Sequence, residues 1–314
     1  MAKTLLGKTE LNVGRLGFGA APIGFLETPQ QQVDKLIGML LDEGVNLIDT
    51  AAMYRDAEAL LGQALKNTFA GHRDDLVLVS KCGTKDDGLP GQAWSADLIH
   101  ASIDRSLKRL GTDHLDVILL HSCPLEVLEQ GEAIGALLDA VKQGKARHVG
   151  YSGDNAAAAA AAQMDEVEVL ELSINICDQA NIRSVLPHCI QNDKGVIAKR
   201  PIANAAWNPL NKQRGMYQEY ARVYHDRLKQ MKVKPDELGY SGHPEVEWPE
   251  IALKFTLAIE GVHAAIVGTT STVNAHANLD AVKKNPLREQ VVLKIKEAFN
   301  KAESRSQGPW DGQT

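Results

Sequence analysis

The stretch Asp97-Leu-Ile-His-Ala-Ser-Ile-Asp-Arg-Ser-Leu-Lys-Arg-Leu-Gly-Thr-Asp-His-Leu-Asp-Val-Ile-Leu-Leu-His121 contains the unit from which the rest of the chain is built. Its first part, residues 97–110, carries apolar side chains at the 3.6-residue period of an amphipathic helix. Its last part, residues 115–121, is a nearly continuous apolar run that ends in His121, as expected of a strand buried on both faces of a parallel sheet. A helix followed by such a strand is the repeating element of an α/β fold.

The same alternation recurs along the chain. Short apolar runs predict eight strands, at residues 16–21, 46–51, 76–81, 115–121, 146–152, 167–175, 195–201 and 264–270. Amphipathic segments predict eight helices, at residues 29–41, 57–66, 97–110, 128–143, 155–164, 182–191, 249–259 and 273–282. Eight strands, each followed by a helix, predict a (β/α)8 TIM barrel that forms a single domain over residues 1–314. A doubly wound sheet shows the same alternation, but Leu16-Gly-Phe-Gly-Ala-Ala-Pro-Ile-Gly24 lacks the Gly-x-Gly-x-x-Gly spacing typical of that fold.

Three segments lie outside the repeat. Residues 1–13 are expected to form a hairpin with its turn at Gly7-Lys8-Thr9 that caps the bottom of the barrel. Residues 202–247 are long and polar, with a helix-like part near 216–231, and a connection of this length is either functional or partly disordered. Residues 286–303 predict an extra C-terminal helix, and the tail after it either folds over the barrel mouth or stays free.

Composition narrows the classes of function. The 314 residues include 34 Lys and Arg against 40 Asp and Glu, a net charge of −6, so no cationic surplus is present to bind nucleic acid. No run approaches the ~18 apolar residues of a membrane span, and the N-terminus lacks the apolar stretch of a signal peptide. The four cysteines include no Cys-x-x-Cys pair. We therefore expect a cytoplasmic protein that acts on a small molecule.

Ionisable side chains stand where three neighbouring predicted strands end. Asp49 closes the second strand, Lys81 the third and His121 the fourth, while Tyr54 follows shortly after Asp49. Taken singly, each has an ordinary structural explanation, such as a turn-forming Asp or a packed His. In a TIM barrel, however, the strand ends meet at one face, where the active site is built. The convergence of the four side chains therefore predicts a catalytic cluster.

Such a cluster has a definite chemistry. A tyrosine titrates near pH 10, and a neighbouring ammonium group lowers that pKa by stabilising the phenolate. A carboxylate keeps the buried lysine charged, and a histidine orients a bound carbonyl group or relays a proton. The result is a phenolic general acid for a developing alkoxide. A metal-dependent hydrolase would need more ligands than His121 and Asp49 at the strand ends, so that class is disfavoured.

These motifs together resemble the aldo-keto reductase superfamily over nearly the whole chain. The motifs that carry the resemblance are Asp49-Thr-Ala-Ala-Met-Tyr54 with Glu58 and Leu61-Gly62, Val79-Ser-Lys81, the stretch 104–121, Gly144-Lys-Ala-Arg-His-Val-Gly-Tyr-Ser152 and Ile266-Val-Gly-Thr-Thr-Ser271. The resemblance implies a barrel that reduces an aldehyde, ketone or sugar, or runs the reverse, with a nicotinamide nucleotide and no metal. It implies that Tyr54 donates the proton, Lys81 lowers its pKa, Asp49 pairs with Lys81 and His121 orients the carbonyl.

The resemblance also implies a set of cofactor-binding positions: Ala20, Ala21, Asp49, Ser152, Glu171, Lys199, Arg200, Pro201, Gly268, Thr269, Thr270, Asn274 and Asn278. Several depart from the family pattern. Gly153 replaces an Asn after Ser152, Glu171 replaces a Gln, and Lys199 replaces a Tyr that stacks on the nicotinamide. Arg200 stands where a pyrophosphate contact is expected, and its fork suits phosphate oxygens.

The adenosine end of the cofactor site departs from the pattern as well. Gly268 and Asn274 stand where many family members carry a Lys and an Arg that bind the 2′-phosphate. A charge-assisted hydrogen bond contributes ~1.5–3 kcal/mol, so these positions favour NAD(H) or dual use, whereas the family pattern favours NADP(H). We expect NADP(H) by a small margin. The altered contacts leave open an alternative, a nucleotide-binding sensor barrel with weak or no turnover, against which the complete catalytic set argues.

Overall fold

Eight parallel strands close into a barrel, as the sequence predicts. The computed structural model describes residues 3–85 and 88–313. The barrel strands are β3 (Leu16–Gly19), β4 (Leu47–Asp49), β5 (Val77–Cys82), β6 (Leu115–His121), β7 (Ala146–Ser152), β8 (Val169–Ser173), β9 (Gly195–Lys199) and β10 (Ala264–Val267). Each strand pairs in parallel with its neighbour in the chain, and β10 closes the ring by pairing with both β9 and β3.

Helices surround the barrel. Their bounds are α1 (Ala21–Phe25), α2 (Gln30–Asp42), α3 (Ala57–Thr68), α4 (Ala96–Leu110), α5 (Leu125–Gln130), α6 (Glu132–Lys142), α7 (Asn155–Ala161), α8 (Ala180–Ser184), α9 (Leu186–Gln191), α10 (Tyr217–Met231), α11 (Pro244–Leu257), α12 (Thr272–Lys283) and α13 (Glu289–Glu303). The helix of the opening sequence stretch is α4. Its N-cap Ser95 accepts a hydrogen bond from the Leu98 N–H, and Gly111 ends it in the left-handed conformation. Among the described residues, none of the helices combines the length and apolarity needed to span a bilayer.

Several predicted boundaries are wrong, for local reasons. The predicted helix 128–143 is two helices, α5 and α6, because Gly131 adopts a left-handed conformation between them. The predicted helix 182–191 is divided at Val185. The helix predicted to begin at Pro249 begins at Pro244, so Pro249 lies inside it. The strand predicted over residues 167–175 is limited to Val169–Ser173, and the other strand ends move by at most three residues.

The N-terminal hairpin closes the bottom of the barrel, as predicted. Strands β1 (Lys3–Leu5) and β2 (Asn12–Gly14) pair in antiparallel fashion, and residues 1–2 of the predicted hairpin lie outside the described part of the chain. The fully buried Leu6 packs among the apolar side chains of the barrel interior. Gly7 has a φ of +57°, and a Cβ there would stand 2.2 Å from the Gly195 nitrogen, so only glycine fits this approach.

The other two segments outside the repeat reach the face of the barrel opposite to the hairpin. Helix α10 forms within residues 202–247, where the helix near 216–231 is expected, and α13 is the predicted extra C-terminal helix. After α13 the tail folds back: the Trp310 ring packs edge-on against Phe299, with centroids 5.0 Å apart. The Gly312 N–H donates to the Asn155 side chain at 2.7 Å. The tail therefore docks on the barrel through residue 313.

Candidate active site

The structure brings the four predicted catalytic side chains together at the carboxyl ends of the strands. The buried Lys81 ammonium donates to the Asp49 carboxylate and to the Thr50 carbonyl oxygen, the latter at 2.9 Å. The Lys81 Nζ atom lies 5.4 Å from the centre of the Tyr54 ring. The rings of Tyr54 and His121 meet edge to face at 5.6 Å. Phenol, ammonium, carboxyl and imidazole thus share one small volume.

Tyr54 is positioned by the loop between β4 and α3 and by the short helix α1. Its N–H donates to the Ala51 carbonyl, and its carbonyl accepts from the Ala57 N–H, both at 3.0 Å. Helix α1 presses against this turn at Gly24, where a Cβ would stand only 2.1 Å from the Tyr54 carbonyl oxygen. The sequence does not indicate this role of Gly24, because the contact joins two separate segments of the chain.

Glu171 joins the catalytic cluster, which the sequence did not indicate. Its Oε2 atom lies 3.1 Å from Lys81 Nζ, and its Oε1 atom accepts from the Ser152 hydroxyl at 3.2 Å. The resemblance assigns Glu171 to the cofactor alone. The alternation along β8 indicates that its side chain points into the barrel, but it does not identify Lys81 as the partner.

The cluster sets the protonation states of its members. Burial and the Glu171 carboxylate raise the pKa of Asp49 well above its usual range, although Lys81 opposes them. Burial alone would lower the pKa of Lys81, but Asp49 and Glu171 outweigh it and raise the pKa. Burial raises the pKa of Tyr54, and Lys81 offsets only part of that rise because both carboxyl groups act against it. The expected net lowering of this pKa is therefore not found.

His121 carries no charge at neutral pH. Its pKa is well below the usual value because the ring is buried and because Lys81, Lys199 and Arg200 are nearby. Its Nδ1 atom is buried and has no hydrogen-bond partner among the described residues. A neutral imidazole in this position can donate a hydrogen bond to an oxygen in the cavity through one ring nitrogen.

A cavity of about 550 Å³ opens above the cluster. Tyr54 and His121 line it, together with most of the predicted cofactor-binding residues: Ala21, Asp49, Ser152, Glu171, Lys199, Arg200, Pro201, Gly268, Thr269, Thr270 and Asn274. The other two predicted cofactor residues, Ala20 and Asn278, are buried and do not line the cavity. The Ala20 N–H instead donates to the Asp49 carbonyl at 2.8 Å and so helps to fix the end of β4.

Two departures from the family pattern have a steric cause. A Cβ at Gly153 would stand 2.6 Å from the ring of Tyr151, which is buried and donates its hydroxyl to the Cys123 carbonyl at 2.8 Å. A Cβ at Gly268 would stand 2.7 Å from the Pro22 ring. The side chains that many family members carry at these two positions would therefore clash with neighbours in this chain.

Lys199 and Arg200 bring cations to the cavity from the end of β9. The Lys199 ammonium lies 3.3 Å from the Asp154 carboxylate. The Arg200 guanidinium lies 4.3 Å from the centre of the Tyr220 ring and donates to the Gln313 carbonyl. Helix α10 and the C-terminal tail thus both reach the site, a role of Tyr220 and Gln313 that the sequence did not indicate.

Of the apolar side chains near the barrel mouth, some line the cavity and others do not. Phe25 lines the cavity and packs 5.6 Å from the Tyr54 ring. Met53, Trp94, Cys123 and Trp207 do not line it. Trp207 instead stacks on Trp248 beside a second cavity, with centroids 6.3 Å apart.

The donor set of the cavity fits a nicotinamide nucleotide. The Ser152 hydroxyl and the unpaired His121 nitrogen suit polar groups at the catalytic end, and the Arg200 guanidinium suits phosphate oxygens. Thr269 and Thr270 line the cavity just before α12, whose first amide groups are suited to an anion. In residues 3–85 and 88–313, no group of three His, Cys, Asp or Glu side chains could hold a metal ion.

Comparisons with known proteins agree with this geometry. The sequence profile of the Aldo/keto reductase family matches residues 15–300. The chain is 27% identical to an L-galactose dehydrogenase of Arabidopsis thaliana over 297 residues, which cover 88% of this chain and 86% of the relative. It is 28% identical to an NADH-specific methylglyoxal reductase of Escherichia coli over 220 residues, covering 63% of this chain and 66% of the relative. A holo-form aldo-keto reductase from Bacillus halodurans superposes with a TM-score of 0.78 at 25% identity, covering 95% of this chain and 96% of the other. The chain belongs to the aldo/keto reductase family and is an NAD(P)-dependent oxidoreductase.

Proposed function

We propose that this chain reduces the carbonyl group of an aldehyde, ketone or sugar to an alcohol, or runs the reverse, with Tyr54 as the general acid. The observation that carries the proposal is the phenol of Tyr54 in the cavity wall, with the Lys81 ammonium 5.4 Å from its ring centre and His121 at its edge. The raised pKa of Tyr54 keeps the phenol protonated at neutral pH, which is the form that a general acid needs.

The side chains of the site have separate roles in the reaction. Ser152, Arg200 and Thr269 would hold a nicotinamide nucleotide in the cavity, and that cofactor would supply the hydride. The neutral His121 donates a hydrogen bond to the carbonyl oxygen and orients it. As negative charge develops on that oxygen, the O–H bond of Tyr54 breaks and its proton forms the alcohol. The Lys81 ammonium then stabilises the phenolate. The free energy of forming this anion in the buried site is therefore lower than it would be without a nearby cation.

The decisive experiment is Tyr54→Phe, which removes the hydroxyl and keeps the ring. We expect turnover to fall by about 10²–10⁴-fold, the usual contribution of general acid catalysis, while NADPH binding measured by fluorescence is unchanged. Tyr240→Phe is the matched control, because Tyr240 does not line the cavity. An unchanged rate in Tyr54→Phe would exclude the phenol as the acid. Nucleotide binding without turnover of any carbonyl compound by the unaltered protein would favour the sensor barrel.

The proposal extends to the choice of nucleotide, for which we favour NADP(H) over NAD(H) by a small margin. Gly268 and Asn274 bring no charge to the cavity, but Lys212 and Arg214 line the same cavity and are exposed cations. Exposed charge pairs contribute only up to about 1 kcal/mol, so the affinity ratio should stay below about tenfold. Separate fluorescence titrations with NADPH and NADH measure it, and tighter binding of NADH would overturn this preference.

A further inference from the structure

Three ionisable side chains meet beneath Tyr54, and each is at most 2% exposed. They are Asp49 from β4, Lys81 from β5 and Glu171 from β8. Lys81 contacts both carboxyl groups: it donates to Asp49, and its Nζ atom lies 3.1 Å from Glu171 Oε2. Both carboxyl groups therefore face the same buried ammonium.

The charge of this cluster does not balance if all three groups are ionised. One ammonium and two carboxylates leave a net charge of −1 away from water, and an uncompensated buried charge is strongly destabilising. One additional proton brings the cluster to zero. When two buried carboxyl groups are held close to one cation, the general outcome is that they keep one proton between them.

Among the residues that the structure describes, the surrounding elements supply no second cation in contact with the cluster. The loop after β4 contributes the neutral phenol of Tyr54, and β6 contributes the neutral His121. From β7, Ser152 contributes a hydroxyl donor to Glu171. Among the described residues of β9 and the loop after it, the Lys199 ammonium pairs with Asp154, and the Arg200 guanidinium bonds to the tail and contacts Tyr220.

We propose that Asp49 and Glu171 share one proton, and that Glu171 is a positioning residue which, with Asp49, holds the Lys81 ammonium beneath Tyr54. The shared proton belongs to the protein whether or not it turns over, whereas the catalytic consequence rests on the proposed function. When that proton is lost at high pH, the cluster becomes negative and Tyr54 becomes a weaker acid. Carbonyl reduction therefore slows as pH rises through this titration.

Infrared spectroscopy of the protein alone tests the shared proton. The C=O stretch of a protonated carboxyl group is separate from the bands of a carboxylate, and we expect the former in the unaltered protein at about pH 8. Burial raises the pKa of Asp178 to about 6, so that side chain is ionised under these conditions. Both Glu171→Gln and Asp49→Asn should remove the band, because either variant leaves one carboxylate to balance Lys81.

The matched control is Glu58→Gln. Glu58 is fully buried, accepts from Ser80 at 2.8 Å and lies 3.5 Å from Arg109, outside the cavity. The band should survive this change. Absence of the band from the unaltered protein, or its persistence in Glu171→Gln, would overturn the shared proton. If Asp49→Asn does not fold, the infrared spectrum of Glu171→Gln alone tests the shared proton. The infrared measurements need no substrate.

The pH profile of kcat tests the catalytic part. Glu171→Gln leaves a neutral Lys81–Asp49 pair that needs no extra proton, so we expect the alkaline fall of kcat to move up by about one to three pH units. A role for Glu171 in packing alone would lower kcat equally at every pH. An alkaline limb at the same pH in both proteins would overturn the positioning role, even if the infrared band behaves as expected.

Discussion

Gly24 offers the sharpest test of how the fold positions the catalytic tyrosine, since it touches neither substrate nor cofactor chemistry directly. Helix α1 crosses the loop of Tyr54 so closely that a Cβ on Gly24 would stand 2.1 Å from the Tyr54 carbonyl oxygen and 3.0 Å from the Ala57 Cβ. The carbonyl oxygen is backbone, so it cannot rotate away as a flexible side chain would. Gly24→Ala must therefore move helix α1, the Tyr54 loop or both.

The size of the movement follows from the contact. An ordinary van der Waals contact for a Cβ begins at 3.4 Å, so the two segments must part by about 1.3 Å. A misplacement of ~1 Å costs about 100-fold in rate, which corresponds to about 2.7 kcal/mol of transition-state stabilisation. We expect kcat/KM of Gly24→Ala to fall by about that factor. Overpacking should also lower the free energy of unfolding by about 1–3 kcal/mol.

Two glycine variants separate misplacement from general damage. In Gly195→Ala the new Cβ meets Leu6 at 2.6 Å at the opposite end of the barrel, so stability falls while kcat/KM of the folded protein is kept. In Gly135→Ala the Cβ meets nothing within 4 Å, and neither quantity should fall. The assay is NADPH oxidation with the best carbonyl compound from a panel that includes methylglyoxal, alongside urea melts. Wild-type kcat/KM in Gly24→Ala would refute the argument that this contact places Tyr54.

Three other substitutions give expected outcomes. Arg200→Ala should raise the Kd of NADPH about tenfold or more, since a charge-assisted hydrogen bond contributes ~1.5–3 kcal/mol; an unchanged Kd in a fluorescence titration removes Arg200 from the cofactor site. The buried His121 has a lowered pKa, so below about pH 6.5 the unfolded chain takes up a proton that the folded chain does not, and stability falls with pH. His121→Gln should therefore lose less Tm than the unaltered protein between about pH 7 and about pH 5, and an equal loss would contradict a neutral buried imidazole. Leu6→Ala should lower the free energy of unfolding by about 2–5 kcal/mol in urea melts, because it opens a cavity in the barrel floor; a loss below about 1 kcal/mol would show that the hairpin is loosely packed.

The barrel could be predicted because its information is local. Each interior strand is an apolar run between turn residues, and each outer helix shows its apolar face at a period of 3.6. The first residue of a helix is harder to predict from the sequence than the helix itself. Pro244 and Pro249 both suit the first turn of a helix, and the chain uses Pro244, while Pro249 follows in the next turn. Nothing in the local sequence distinguishes the two prolines as the start of the helix.

Site residues could be predicted from the sequence only where a single strand determines their position. Asp49, Lys81 and His121 each end an apolar run, and the run itself indicates their position. Glu171 also lies on a strand, but its contact with Lys81 crosses the barrel between β5 and β8, a relation that no neighbouring residues encode. Tyr220 reaches Arg200 because α10 docks through nonlocal bonds, such as the one that the Tyr224 hydroxyl donates to Asp178 at 2.8 Å.

The charged layer of the site is built by the same alternation that builds the barrel interior. Side chains two residues apart on a strand share a face. The residue two positions after the last apolar interior side chain therefore also points into the barrel, one layer nearer the carboxyl ends of the strands. The pairs that follow this rule are Leu47 and Asp49, Val79 and Lys81, Leu119 and His121, Val169 and Glu171, and Ile197 and Lys199.

This layered arrangement explains why the additional carboxylate of Glu171 changes the charge balance of the site. The apolar layers and the hairpin beneath them seal the charged layer from water on the lower side, and among the residues described the cavity is its opening above. Charges in such a layer are balanced by one another rather than by solvent. A neutral side chain at position 171 would leave Lys81 and Asp49 as a closed pair. The Lys199 ammonium is balanced by Asp154, so with Glu171 the rest of the layer carries one more negative charge than positive. Either a proton stays in the layer or a cation must be bound from the cavity side. Lys199 and Arg200, the cations at this side of the cavity, already contact Asp154 and the Gln313 carbonyl, so the proton is favoured.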